Sequence, residues 1–115
     1  MKYLLCALAL FFTLGVAQAH THLKSSTPAD QAVLATAPKE VMLQFSEPTR
    51  LTAVTIQKDG EKNETALSGL PKEAAAHVTL PVAITTPGTY KLNWRAVGPD
   101  NHVMSGSIQF TVSAK

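Results

Sequence analysis

The chain has 115 residues, 45% of them hydrophobic and 16% charged, with a formal net charge of +2. That length holds one small domain and not two. The near balance of charge, with no clustered basic stripe, argues against a nucleic-acid binder. The first element is a leader. Residues 3–12 read Tyr-Leu-Leu-Cys-Ala-Leu-Ala-Leu-Phe-Phe without a charge, Lys2 stands before them, and Val16-Ala17-Gln18-Ala19 follows. A basic start, an apolar stretch and an A-x-A end describe a secretory signal peptide over residues 1–19, cut between Ala19 and His20. The stretch is too short for a membrane span, which needs roughly 20 apolar residues.

The expected mature domain is residues 20–115. With Lys2 gone, nine basic residues face eight acidic ones. Cys6 leaves with the leader, and it does not stand at the end of the apolar run, where a lipoprotein cysteine would. The exported domain therefore has no disulfide and no thiolate. It must cohere by core packing, and it cannot hold a metal through cysteine.

The mature chain reads as strands. Val41, Leu43 and Phe45 alternate with Met42 and Gln44, and Val54 and Ile56 alternate with Thr55 and Gln57. Val78 and Leu80 bracket Thr79. Tyr90, Leu92, Trp94 and Ala96 alternate with Lys91, Asn93 and Arg95; Ile108, Phe110 and Val112 alternate with Gln109 and Thr111. Period-2 alternation puts one face in a core and one in water. Turn signals punctuate the runs at residues 27–30, 58–60, 68–71, 86–88 and 98–100. Residues 72–77 can make one helical turn but are too few for a stable helix. About seven short strands with such turns predict an all-β sandwich or barrel. Trp94 is expected in the core between sheets.

All four histidines, His20, His22, His77 and His102, fall in the mature domain. His20 becomes its first residue. A free α-amine and the imidazole of the same residue can close a chelate ring on one metal ion at little ordering cost. With a pKa of about 7.7–8.0, the amine gives up its proton to a metal near neutrality. A further imidazole and a carboxylate would complete an N/O square plane, which suits Cu(II). Asp100 and His102 supply that pair in Gly98-Pro99-Asp100-Asn101-His102, because alternate residues of an extended segment point the same way.

On these residues the sequence resembles the CopC family of periplasmic copper-binding proteins. The motifs that carry the resemblance are His20, Ser25-Ser26-Thr27-Pro28-Ala29, Leu43-Gln44-Phe45-Ser46-Glu47, Gly88-Thr89-Tyr90, Trp94-Arg95-Ala96-Val97, and Asp100-Asn101-His102 followed by Gly106. The resemblance implies a Greek-key β-barrel or immunoglobulin-like sandwich in the periplasm. It implies one Cu(II) per chain held by His20, Asp100 and His102, and transfer to a CopD-type inner-membrane copper importer. It places Glu47 where a carboxylate could hold the amine or an imidazole in position. One departure stands out. Some members carry a Met-rich Cu(I) loop, whereas the corresponding residues here, Gln57 to Thr65, contain no Met and no His. Met42 and Met104 fall inside predicted strands, where packing is the usual role. No dedicated Cu(I) site is expected, and a monomer is the default.

His22 keeps a second arrangement open. In His20-Thr21-His22, the amine, two backbone amides and the third-position imidazole can wrap Cu(II) locally, in competition with Asp100 and His102. Otherwise His22 lies near the site as a supporting group. His77 has no partner at useful spacing and is expected in a solvated loop or turn. Two other function classes share some of these features. One is a copper-dependent oxidative enzyme with an N-terminal histidine chelate. The other is an immunoglobulin-like structural domain with incidental histidines.

Overall fold

A computed structural model describes residues 21–113. The expected leader, His20 and residues 114–115 lie outside these residues. The described chain forms seven strands: β1 (Leu23–Thr27), β2 (Ala32–Leu34), β3 (Glu40–Lys58), β4 (Thr65–Ala66), β5 (Ala75–Pro81), β6 (Gly88–Val97) and β7 (Val103–Val112). The all-β expectation is met, but the strands are not all short. The two alternating runs around Phe45 and Val54 join into β3, which is 19 residues long.

β3 organises the molecule. Its first half pairs antiparallel with β1 on one side and β5 on the other. Its second half pairs antiparallel with β6 and with the short β4. β7 pairs with β6 along its whole length, and β2 adds to β7 in parallel. The result is a seven-stranded curled sheet closed over one core. Phe45 from the first half meets Trp94 of β6 edge to face, with ring centroids 5.2 Å apart.

Two irregularities let β3 serve both halves. Between Gln44 and Thr49 its pairing with β5 slips, over Phe45-Ser46-Glu47-Pro48. Pro48 has no N–H to donate to a ladder. The buried Thr49 hydroxyl donates to the Glu47 carbonyl at 2.8 Å, so this corner supplies a local partner for its own backbone. Further on, Leu51 and Ala53 face consecutive β6 residues, Ala96 and Arg95, which makes Thr52 an extra residue. Such a bulge reverses the parity of the strand. Leu51 and Val54 are both buried as a result.

Residues 72–77 do not form the helical turn their alanines allow. Ala75 to Pro81 is strand, with Ala75 opposite Thr49 and His77 opposite Gln44. Six residues cannot nucleate a helix, and β3 offers them ladder hydrogen bonds instead. His77 is therefore on a strand rather than in a loop, with its side chain exposed. Trp94 is buried as expected, and its ring covers Gly106, the residue opposite it on β7. A Cβ on Gly106 would meet the indole at 2.7 Å, so this glycine is required by close approach.

Candidate metal centre

The Asp-x-His segment is the loop of the β6–β7 hairpin. The Gly98 N–H donates to the His102 carbonyl at 3.0 Å, and the Asn101 N–H donates to the Gly98 carbonyl at 2.9 Å. Asn101 has φ +67°, a conformation that asparagine tolerates better than most residues. Pro99 stands where its fixed φ favours the turn. The sequence thus forms a tight three-residue loop with Asp100 at its tip.

Asp100 and His102 are held by each other. One carboxylate oxygen of Asp100 accepts the His102 backbone N–H at 3.2 Å. The other lies 2.8 Å from His102 Nδ1. The His102 side-chain hydrogen bond, with its backbone hydrogen bond second, holds the Asp100 carboxyl below its ordinary pKa. An ionised carboxylate only accepts hydrogen bonds, so Nδ1 is the donor. The neutral imidazole then presents its lone pair at Nε2. Both side chains are mostly exposed, with relative accessibilities of 76% for His102 and 56% for Asp100. Both groups are open to water, and a metal on Nε2 would stand across the ring from the carboxylate, so Asp100 must leave Nδ1 before both side chains can share one ion.

The start of the described chain reaches the same end of the molecule. His22 exchanges hydrogen bonds with the corner of β3: its N–H donates to Ser46 Oγ at 3.0 Å, and its carbonyl accepts the Ser46 N–H at 2.8 Å. The Thr21 hydroxyl donates to Glu47 Oε1 at 3.2 Å. Thr21 also approaches the hairpin. A Cβ on the buried Gly98 would meet Asp100 Oδ1 at 3.4 Å, Met104 Cε at 3.6 Å and Thr21 Oγ1 at 3.6 Å. Gly98 thus leaves a small cradle between the hairpin and the N-terminal segment. A groove of about 320 Å³ beside it joins Glu47 and Arg50 of the corner to Gly98 and Asn101 of the loop.

Five of the sequence-selected positions can be placed in this frame. Asp100 and His102 are in contact. Glu47 holds Thr21, the residue bonded to His20. His22 is at the same corner through its backbone, with its side chain exposed. His77 is on the outward face of β5, in register with Gln44. His20 lies outside the described residues. Among the described residues, no three His, Cys, Asp or Glu side chains gather where they could hold a metal ion. The Asp100–His102 pair offers the N and O donor types that suit a metal such as Cu(II), and the missing side chain at Gly98 lets Thr21 of the N-terminal segment approach the hairpin. Sequence reasoning gave Ser46, Thr21, Gly98 and Met104 no part in the site. Ser46, Thr21 and Gly98 stood in quoted stretches and Met104 in a predicted strand, but their proximity is a product of the fold.

Comparison with known proteins agrees with this architecture. A family model described as the CopC domain matches residues 23–113. Copper resistance protein C of Escherichia coli is 36% identical over 107 residues, covering 84% of this chain and 83% of that one. Copper transport protein CutJ of Bacillus subtilis is 26% identical over 114 residues, which are 96% of this chain but 21% of that longer protein. The crystal structure of CopC from Methylosinus trichosporium OB3b superposes with a TM-score of 0.67 at 24% identity, covering 82% of this chain and 94% of that one, a likeness of fold. The sequence match extends across nearly all the described strands, and on that ground the chain belongs to the CopC family.

Proposed function

We propose that this chain is an exported, periplasmic protein that binds one Cu(II) and carries it, without catalysing a reaction. His20 supplies its α-amine and imidazole, Asp100 a carboxylate oxygen and His102 an imidazole nitrogen, with the Asp100–His102 hydrogen bond giving way as the ion binds. The observation that supports this most is the convergence of Thr21 Oγ1 and Asp100 Oδ1 on the Gly98 cradle. It brings the chain next to His20 against the hairpin that carries the other two donors. Glu47 keeps that segment seated through Thr21, as outer-shell groups do in metal sites. Copper itself supplies no chemistry here; it is the cargo.

An anionic carboxylate in the coordination plane favours Cu(II) and works against redox turnover. Handover to a membrane copper importer of the CopD type is consistent with CutJ, a copper transport protein that contains a stretch similar to this chain. Residues 57–65 provide no Met-rich Cu(I) loop.

The test compares Cu(II) affinity of exported protein, its first residue shown by mass spectrometry to be His20, with protein carrying one extra residue before His20. The extension removes the amine from its chelate ring and is expected to weaken binding by roughly 100-fold or more, on the scale of ligand loss. Equal affinities would reject the proposed site.

A further inference from the structure

We propose that the end of the domain away from the Asp100 loop binds a small carboxylate with an apolar body, of the class of a medium-chain fatty acid. A cavity of about 360 Å³ lies there between residues 61–68 and residues 81–86. Ile56, Leu67, Val82 and Ile84 form its apolar wall, and all four are partly buried against the core. Lys58, Thr86 and Tyr90 form a polar corner in the same cavity. Tyr90 pairs with Lys58 near one end of β6, and Val97 pairs with Arg50 at the other. The run of strand from Tyr90 to Val97 is roughly 23 Å long, so the inference stands independently of the copper site.

A chain of hydrogen bonds fixes the polar corner. Tyr90 Oη donates to the Thr86 carbonyl at 2.6 Å, so the Thr86 hydroxyl, 3.1 Å from Tyr90 Oη, donates to it in turn. Thr86 Oγ1 then accepts Lys58 Nζ at 2.9 Å. Tyr90 is itself buried and stacked on Phe110, with ring centroids 5.9 Å apart, so the relay ends on a rigid anchor. Gly88 makes room for the lysine stem: a Cβ there would stand 2.6 Å from Lys58 Cε and 3.5 Å from Lys58 Cγ. Lys58 is thus ordered along its length, from the glycine it crosses to the hydroxyl that holds its tip.

The ammonium is held in place without being neutralised. It has three N–H donors, and Thr86 takes one. Among the described residues no carboxylate forms an ion pair with it. Glu61 borders the same cavity but is exposed, and only its backbone carbonyl is engaged, by Gln57 Nε2 at 2.7 Å. An ordered cation with two free donors beside an apolar wall complements a carboxylate head on a hydrocarbon body. Ligand pockets have this make-up, mostly apolar with a few placed polar groups, and begin at about 300 Å³. Because Lys58 is ordered before the ligand arrives, part of the entropic cost of binding is already met.

The experiment titrates the exported protein with sodium octanoate by calorimetry. Octanamide, which lacks the charge, and sodium acetate, which lacks the chain, are titrated beside it. Octanoate is expected to bind once per chain, and each of the other two at least roughly tenfold more weakly, the loss that accompanies a charged hydrogen bond or a few buried methylenes. Lys58→Met keeps an apolar stem and removes the charge. It is expected to lower octanoate affinity by roughly tenfold or more and to leave octanamide within about threefold. Glu61→Gln removes the neighbouring anion and is expected to raise octanoate affinity. Amide NMR shifts of the wild-type protein give a readout that needs no variant: octanoate should move residues 56–58, 65–68 and 82–90 and leave residues 98–102 unmoved. No saturable octanoate binding, octanamide bound as tightly as octanoate, unchanged octanoate affinity in a folded Lys58→Met, or shifts confined to other residues would each overturn the inference.

Discussion

Asp100 shows how much a single residue can organise. Its two oxygens reach the backbone and the ring of His102, so one carboxylate sets both the loop shape and the imidazole tautomer. A carboxylate offers more lone pairs than these two bonds use, which leaves capacity for a metal. His22 is placed differently: its backbone is tied to Ser46, so a local wrap of residues 20–22 around copper would have to break those bonds. The expected outcome is that His102→Ala weakens Cu(II) binding beyond the roughly 10–100-fold typical of outer-shell changes, while His22→Ala stays below about tenfold. Copper competition titrations check both, and a larger effect from His22 would favour the local wrap. Glu47 belongs to the same scale. Because its contact is with the Thr21 hydroxyl, Glu47→Gln and Thr21→Val are expected to weaken copper binding non-additively in a double-mutant cycle.

At the scale of elements, β3 and the β6–β7 hairpin carry the argument. The corner at residues 45–48 turns β3 from one half of the sheet to the other and presents Ser46 and Glu47 to the N-terminal segment. The hairpin runs in unbroken register from the Gly88–Val112 pair to the Val97–Val103 pair, so the Asp100 loop projects from a rigid ribbon. Gly106 keeps that ribbon flat against Trp94. Gly106→Ala drives a methyl to 2.7 Å from the indole ring, and overpacking of this kind costs about 1–3 kcal/mol. Urea unfolding followed by Trp94 fluorescence measures it. Ser107→Ala, next along the same strand and exposed, should stay within about 0.5 kcal/mol.

At the scale of the whole molecule, the proposed centre draws on three stretches far apart in sequence: the N-terminal segment, the corner of β3 and the β6–β7 loop. It exists only when the domain is folded, so copper should stabilise the fold. At a free concentration about 100 times the dissociation constant, the expected gain is about 2.7 kcal/mol. Acidification should remove that gain, because protons compete for the amine and both imidazoles. The side-chain and backbone hydrogen bonds of His102 hold the Asp100 carboxyl below the usual carboxylate range, so it stays ionised into mildly acidic solution. Its own contribution to folding is present above the unfolded pKa and is lost only as pH falls through the lower folded value. Asp100→Asn is therefore expected to weaken binding and so move copper release to higher pH, while the steepness of that release, set by the nitrogen donors, stays the same. Thermal melts with and without Cu(II), taken between pH 8 and pH 4, check this.

The alternation of Tyr90, Leu92, Trp94 and Ala96 was enough to place β6, and that of Ile108, Phe110 and Val112 to place β7, because one face of each is buried and period 2 records it. Asp100 and His102 were legible because their spacing is local and the turn between those strands is short. β2 and β4 were not, since strands of three and two residues leave no periodic signal. Nor was the single long β3, whose bulge at Thr52 breaks the alternation into two runs. Composition and spacing thus determined the fold class and singled out Asp100 and His102 as neighbours. Only the tertiary structure decided which donors meet, because β3 must bend before Glu47 can reach Thr21 and before Thr21 and Met104 can share the cradle at Gly98. A sequence records what each residue offers to its neighbours along the chain, whereas contacts across a closed sheet depend on register and curvature.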